Sequence, residues 1–174
     1  GELAVASIDE AYHVQMALNR LWVDGPRGVI VGYKIALTSQ AIRDLVGVDD
    51  PCGGAIFAST VHPSPATISL ANFVRVGLEF ELAFRMGKDV PEGDAYDGES
   101  IAQFVDSAMP AFELIEDRDA DYGSLDAATL VADNAWSGGM VLGTPSMAWK
   151  QMDLATAPVS LSYNGEIETA VTGA

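Results

Sequence analysis

Apolar and polar residues alternate across residues 76–86, Val-Gly-Leu-Glu-Phe-Glu-Leu-Ala-Phe-Arg-Met. Val76, Leu78, Phe80, Leu82 and Phe84 share one face, the period-2 signature of a half-buried strand. Glu79 and Glu81 fall on the other. An earlier stretch, residues 28–37, is rich in β-branched residues and reads as a second strand. Ile8, Ala11, Tyr12, Leu18, Leu21 and Trp22 instead recur at helical spacing behind a Ser7-x-x-Glu10 capping box, which predicts a helix over 8–22. Thr38 or Ser39 can cap a short helix that Gly47 stops.

Asp49 to Gly54 reads as a loop, and residues 55–75 as short strand-like runs broken by Pro63 and Pro65. A polar loop follows from Lys88 to Asp97. Glu99 to Met109 looks helical, ending at Pro110, and 111–115 is strand-like. Asp117 to Asp126 forms a charged loop. Met140-Val141-Leu142 is a short apolar run. Asn164-Gly165 joins two strand-like runs, 159–163 and 166–171, as a hairpin. There is no repeat and no low-complexity segment. Helices come early and strands dominate without βαβ alternation, an α+β pattern.

Composition narrows the function. The 174 residues suit one domain, and a 49% hydrophobic content supports a real core. A net charge of −16 argues against a nucleic-acid partner. No run approaches the roughly 18 apolar residues of a membrane span, so no membrane partner is expected. The single Cys52 excludes an internal disulfide and suits a reducing, cytoplasmic compartment. Cys52 itself reads as a loop thiol. The start at Gly1 lacks both a basic signal-peptide region and a Met, which reads as processed or trimmed.

Candidate chemistry gathers on three acids and a lysine. Same-face positions on a strand lie roughly 6.5 Å apart, so Glu79 and Glu81 can aim at one point. Like charges that close repel, and a divalent cation removes the cost; a solvated strand face is the plainer reading. Glu113 lies in the apolar run Pro110-Ala111-Phe112-Glu113-Leu114-Ile115 and needs a partner. That partner is either an ion pair, with Arg118 for instance, or a metal shared with the other two acids. Three carboxylates suit Mg²⁺ or Mn²⁺. Lys34, one of three lysines, shares a strand face with Gly32 and Ala36. It either reaches into a cavity, where its ammonium can stabilise an enolate, or sits exposed on an edge strand. His13 and His62 stand alone. No nucleophile elbow, phosphate-binding loop or dinucleotide fingerprint is present.

Val31-Gly32-Tyr33-Lys34-Ile35, Leu37-Thr38-Ser39, Gly47-Val48-Asp49-Asp50-Pro51, the Glu79-x-Glu81 strand, Pro110-Ala111-x-Glu113 and Ala132-Asp133-Asn134-Ala135 occur in that order. The ordered set resembles the fumarylacetoacetate hydrolase superfamily. Within it, the likeness is to the 2-keto-4-pentenoate hydratase and 4-oxalocrotonate decarboxylase branch, from about residue 10 to the end. The resemblance implies a mixed β-sandwich roll with peripheral helices. It implies a Mg²⁺ or Mn²⁺ site on Glu79, Glu81 and Glu113, with Lys34 lining the active site. It implies a cytoplasmic homo-oligomer acting on small 2-oxo acids or 2-hydroxydienoates from aromatic catabolism. A hydro-lyase is the leading expectation, with a decarboxylase as runner-up.

Two positions depart from the pattern. Cys52 stands where hydratases of the branch commonly carry Asp, and Trp136 where they carry Ser, with Ser137 one place later. These changes remove an acid and displace a hydroxyl that could handle protons or position water. An acylpyruvate hydrolase would need a water-activating base, for which Glu116 or Asp117 is the nearby candidate; an inactive paralogue is the remaining alternative. Residues 1–174 are expected to form a single catalytic domain. The family pattern continues past Ala174 with another helix and several strands, so the domain is expected to be incomplete at its C-terminus.

Overall fold

The computed structural model describes residues 5–93 and 95–172. The helix α1 runs Ile8–Val23, with the Ser7 hydroxyl accepting from the Glu10 amide. Ala11, Ile8 and Tyr12 of the apolar set join the core, but the fully buried stripe is Ala11, Gln15 and Asn19, and Leu21 is 71% exposed. The stripe follows i, i+4, i+8 spacing, so geometry selects it even though two members are polar. Strand β1 spans Ile30–Ala36, and α2 spans Gln40–Val46, capped by Ser39 and ended by Gly47 in the left-handed region.

Strand β2 spans Cys52–Phe57 and pairs antiparallel with β1, placing Ala36 opposite Cys52 and Lys34 opposite Gly54. Cys52 is therefore not in a loop: the ladder extends through Gly53-Gly54 and buries the thiol. Strand β3 is short, Val61–Pro63, and β4 spans Val76–Met86 as the alternation predicts. The apolar face of β4 is exposed, however, at Leu78, Phe80, Leu82 and Phe84. Alternation fixes which side chains share a face; whether another layer covers that face is a separate matter.

The helix expected over 99–109 is shorter. Helix α3 covers Gly98–Ala102, closed by an Asp97–Ser100 capping box, and strand β5 then runs Val105–Glu116. A short apolar run has the same composition as helix or as buried strand. Ser107, Ala108 and Met109 are buried in succession, the mark of a strand covered on both faces. Pro110 sits inside β5, and its carbonyl accepts from the Gly143 amide at 2.8 Å. Helix α4 (Ala127–Ala132), β6 (Ser137–Leu142), β7 (Pro158–Tyr163) and β8 (Glu166–Thr172) complete the chain. The last two form the Asn-Gly hairpin that the sequence predicts.

The strands form three sheets, β1-β2, β3-β6-β5-β4 and β7-β8. The chain falls into two compact units. One holds the chain up to Glu79 with Phe112–Val141; the other holds Phe80–Ala111 with the residues from Leu142 onward. The first contains a core of Ala11, Cys52, Leu130, Val131, Ala135 and Trp136. Gln15 explains its burial here: its amide donates to the Gly53 carbonyl at 2.9 Å and the Val131 carbonyl at 2.8 Å. The Tyr12 hydroxyl accepts from the Gly53 amide. Helix α1 thus holds β2 at Gly53, the neighbour of the Gly54 that stands opposite Lys34.

Candidate metal centre

The alternation of β1 is inverted relative to hydrophobicity. Val31, Tyr33 and Ile35 are exposed, while Lys34 is 7% exposed. Its ammonium lies 3.1 Å from Oε1 of Glu113, a residue only 1% exposed. Glycine at position 54, across the ladder from Lys34, is required by space: a Cβ there would run into the Asn134 carbonyl oxygen. Of the two expectations for Lys34, the buried position is realised. Arg118 pairs with Asp133 at 2.7 Å.

Glu113 meets the acidic strand. Glu79, Glu81 and Glu113 each offer one carboxylate oxygen, and these oxygens lie within 4.8 Å of one another. Two of the acids are exposed and one is buried, so the group is open to solvent on one side. The donor set is all oxygen, the preference of hard divalent cations, and neither histidine nor cysteine takes part. One ammonium and one divalent cation would balance the three carboxylates. The residues present therefore fit such an ion.

The motif Ala132-Asp133-Asn134-Ala135 marks one further segment in the sequence, but its contacts are with distant chain. Asn134 is fully buried, and its side-chain amide brackets Ala55 of β2, accepting at 2.7 Å from the amide and donating at 2.9 Å to the carbonyl. Asn134, Ala135 and Trp136 all have positive φ, between 48° and 55°. Non-glycine residues adopt that region only when their surroundings hold them there. The result presents Trp136 edge-on to Tyr122, with ring centroids 5.6 Å apart. The Tyr122 hydroxyl donates to Asp117, which also takes the Arg75 guanidinium at 2.7 Å. Partial burial and Asp117 push the Tyr122 phenol above its ordinary value, and the nearby Glu79 charge adds to the effect. Burial likewise pushes the Cys52 thiol up, against the pull of the Lys34 ammonium. Cys52 and Lys34 are thus electrostatic neighbours.

The two acids considered as water-activating bases are committed elsewhere. Glu116 accepts from the backbone amides of Val74, Arg75 and Arg118. Asp117 accepts from Arg75, Tyr122 and the Asp119 amide, and the Arg75 hydrogen bond holds its carboxyl below the usual range.

No family model matches the chain. It is 33% identical over 168 residues to a 2-keto-4-pentenoate hydratase of Paraburkholderia xenovorans strain LB400, covering 97% of this chain and 61% of that protein. It is 29% identical over 170 residues to a 2-hydroxypent-2,4-dienoate hydratase of Pseudomonas putida, covering 97% of this chain and 75% of that one. Among solved structures it is similar to a 4-oxalocrotonate decarboxylase from Pseudomonas putida G7 complexed with magnesium and adipate, with a TM-score of 0.87 and 27% identity over 96% of this chain and 62% of that one. These relatives and this solved structure carry the names of the hydratase and decarboxylase branch that the ordered motifs resemble. The TM-score of 0.87 bears out the α+β fold that the sequence pattern implies. The chain spans 61% of the length of the Paraburkholderia relative. Among the described residues, no helix is long and apolar enough to cross a membrane.

Proposed function

We propose that residues 1–174 form one catalytic domain of a divalent-metal-dependent lyase. Its substrates are 2-hydroxydienoates or related 2-oxo acids of aromatic-compound catabolism, and a hydratase is the first reading. The observation that carries it is the convergence of Glu79, Glu81 and Glu113 within 4.8 Å, with Lys34 held 3.1 Å from Glu113. Glu79, Glu81 and Glu113 are the proposed ligands of a Mg²⁺ or Mn²⁺ ion. When bound, that ion supplies Lewis-acid polarisation to the substrate's oxygen atoms.

The chain's own side chains then divide the work. Lys34, fixed by its ion pair, presents a positive charge to the oxygen that gains negative charge during proton movement. The magnesium in the decarboxylase of Pseudomonas putida G7 and the hydratase names of the curated relatives support this assignment. We extend it to a cytoplasmic homo-oligomer, for which light scattering of the purified protein is the check.

A decarboxylase is the second reading, favoured by Cys52. Its raised pKa keeps a neutral thiol beside Lys34, where the hydratase pattern carries an acid. Loss of CO₂ needs no delivered water. The deciding assay supplies Mg²⁺ with 2-hydroxypenta-2,4-dienoate or 2-oxohex-3-enedioate. Consumption of the first supports hydration, and CO₂ release from the second without hydrated product supports decarboxylation. Full activity in Glu81→Gln would remove the metal assignment from either reading.

A further inference from the structure

Glu116 sits three positions beyond Glu113 on β5, an odd separation, so its side chain projects to the opposite face of the strand. There it borders a cavity of about 460 Å³ in which two arginines and several polar side chains stand among apolar residues. Arg27 and Arg118 both line it, together with Ser59, Thr60, His62 and Asn72. The cavity is separate from the three-carboxylate group, and none of its polar residues has a part in the proposed reaction.

The charges around this cavity are unevenly matched. Arg118 is paired through Nε to Asp133. The Glu116 carboxylate is engaged by three backbone amides. Arg27 has no such match: among the described residues no carboxylate forms an ion pair with it. Its guanidinium stacks on Trp22, 3.8 Å from the ring centroid, and makes one long 3.5 Å hydrogen bond to the Ser137 carbonyl. A guanidinium over an aromatic face is held by the ring without using up its N–H donors. Burial and the neighbouring Arg118 charge lower the Arg27 pKa, with Asp133 and Glu116 opposing them. A half-buried guanidinium next to another is stabilised by an added anion.

We infer that this cavity is a binding site for a small molecule bearing an oxyanion, a carboxylate or a phosphate group, gripped by Arg27 and Arg118. A planar guanidinium matches either group through paired N–H···O bonds. Ser59, Thr60, His62 and Asn72 supply further hydrogen-bonding groups around the remainder of the ligand. The protein's net charge of −16 disfavours casual anion binding, so saturable uptake requires a built site.

Calorimetric titration of the metal-free protein at fixed ionic strength tests this, with inorganic phosphate and succinate as separate probes. Saturable one-to-one binding of either probe is expected. Binding of both marks recognition of the shared oxyanion, and binding of one alone identifies the source. Arg27→Gln should weaken binding at least about tenfold, the scale of a lost charge-assisted hydrogen bond. Lys150→Gln, which removes a positive charge at an exposed position outside the cavity, should leave it within about twofold. Should Arg27→Gln fail to fold by circular dichroism, Arg118→Gln, at an exposed guanidinium, carries the comparison and should weaken binding similarly. Absence of saturable binding by both probes, or unchanged affinity in the folded arginine variants, would overturn the assignment.

Discussion

Lys34 and Glu113 form an ion pair of 3.1 Å in which each residue is less than a tenth exposed. The pair joins β1 to β5 and ties the proposed metal ligands to a fixed cation. Removing one member of a buried pair leaves an uncompensated charge and costs about 3–5 kcal/mol. Lys34→Met should therefore lower the urea midpoint substantially without changing the slope of unfolding. A loss under about 0.5 kcal/mol, the ordinary range for surface substitutions, would mean that the pair is not buried in solution.

The glycine opposite Lys34 is a steric requirement. In Gly54→Ala the new Cβ would meet the Asn134 carbonyl, which is backbone and cannot swing away. Overpacking of this kind costs about 1–3 kcal/mol. Thermal unfolding should show a lowered Tm, whereas alanine at Gly98, where nothing lies within contact distance, should be mild.

Asn134 does two jobs, bridging Ala55 and tolerating φ of 55°. Asn134→Ala would leave the Ala55 amide and carbonyl without those bonds, at about 1–3 kcal/mol for each group left unsatisfied. Amide hydrogen exchange at Ala55 should accelerate markedly, and Trp136 fluorescence should change as the tight turn relaxes. Unchanged exchange at Ala55 would contradict the bridging role.

Acid stability should carry the mark of Asp117. Its folded pKa is depressed below the ordinary 3.8, first by the Arg75 hydrogen bond. A depressed carboxylate contributes stability that is present above the unfolded value and lost as pH falls through the folded one. Wild type and Asp117→Asn should therefore differ in stability at neutral pH, and the gap should close below pH 3.8. A pH-independent gap would assign the effect to packing instead.

The legible parts of the sequence were those with a local cause. Ser7 and Ser39 cap helices because their hydroxyls reach amides three residues on. Asn164-Gly165 makes a hairpin because both residues accept positive φ. The pairing of Glu79 with Glu81 follows from strand period. What escaped depends on distant chain. The burial of Gln15 is intelligible only once Gly53 and Val131 are beside it. Its i+4 relation to Ala11 was the available signal. Val105–Met109 reads as helix because a short apolar run has no periodicity of its own to exclude it. Cys52 reads as loop because two glycines follow it, yet pairing with Ala36 carries the strand through them. The Arg75–Asp117–Tyr122 cluster joins residues more than forty positions apart, and no motif announces it.

The central claim is that Glu79, Glu81 and Glu113 hold one divalent cation. Calorimetric titration of the metal-free protein with Mn²⁺ and Mg²⁺ tests it most directly, comparing wild type with Glu81→Gln, a substitution at an exposed position that should not disturb folding. One saturable site in wild type, abolished in the variant, is the predicted result. Equal binding by the two proteins, or no binding by wild type, would contradict the account.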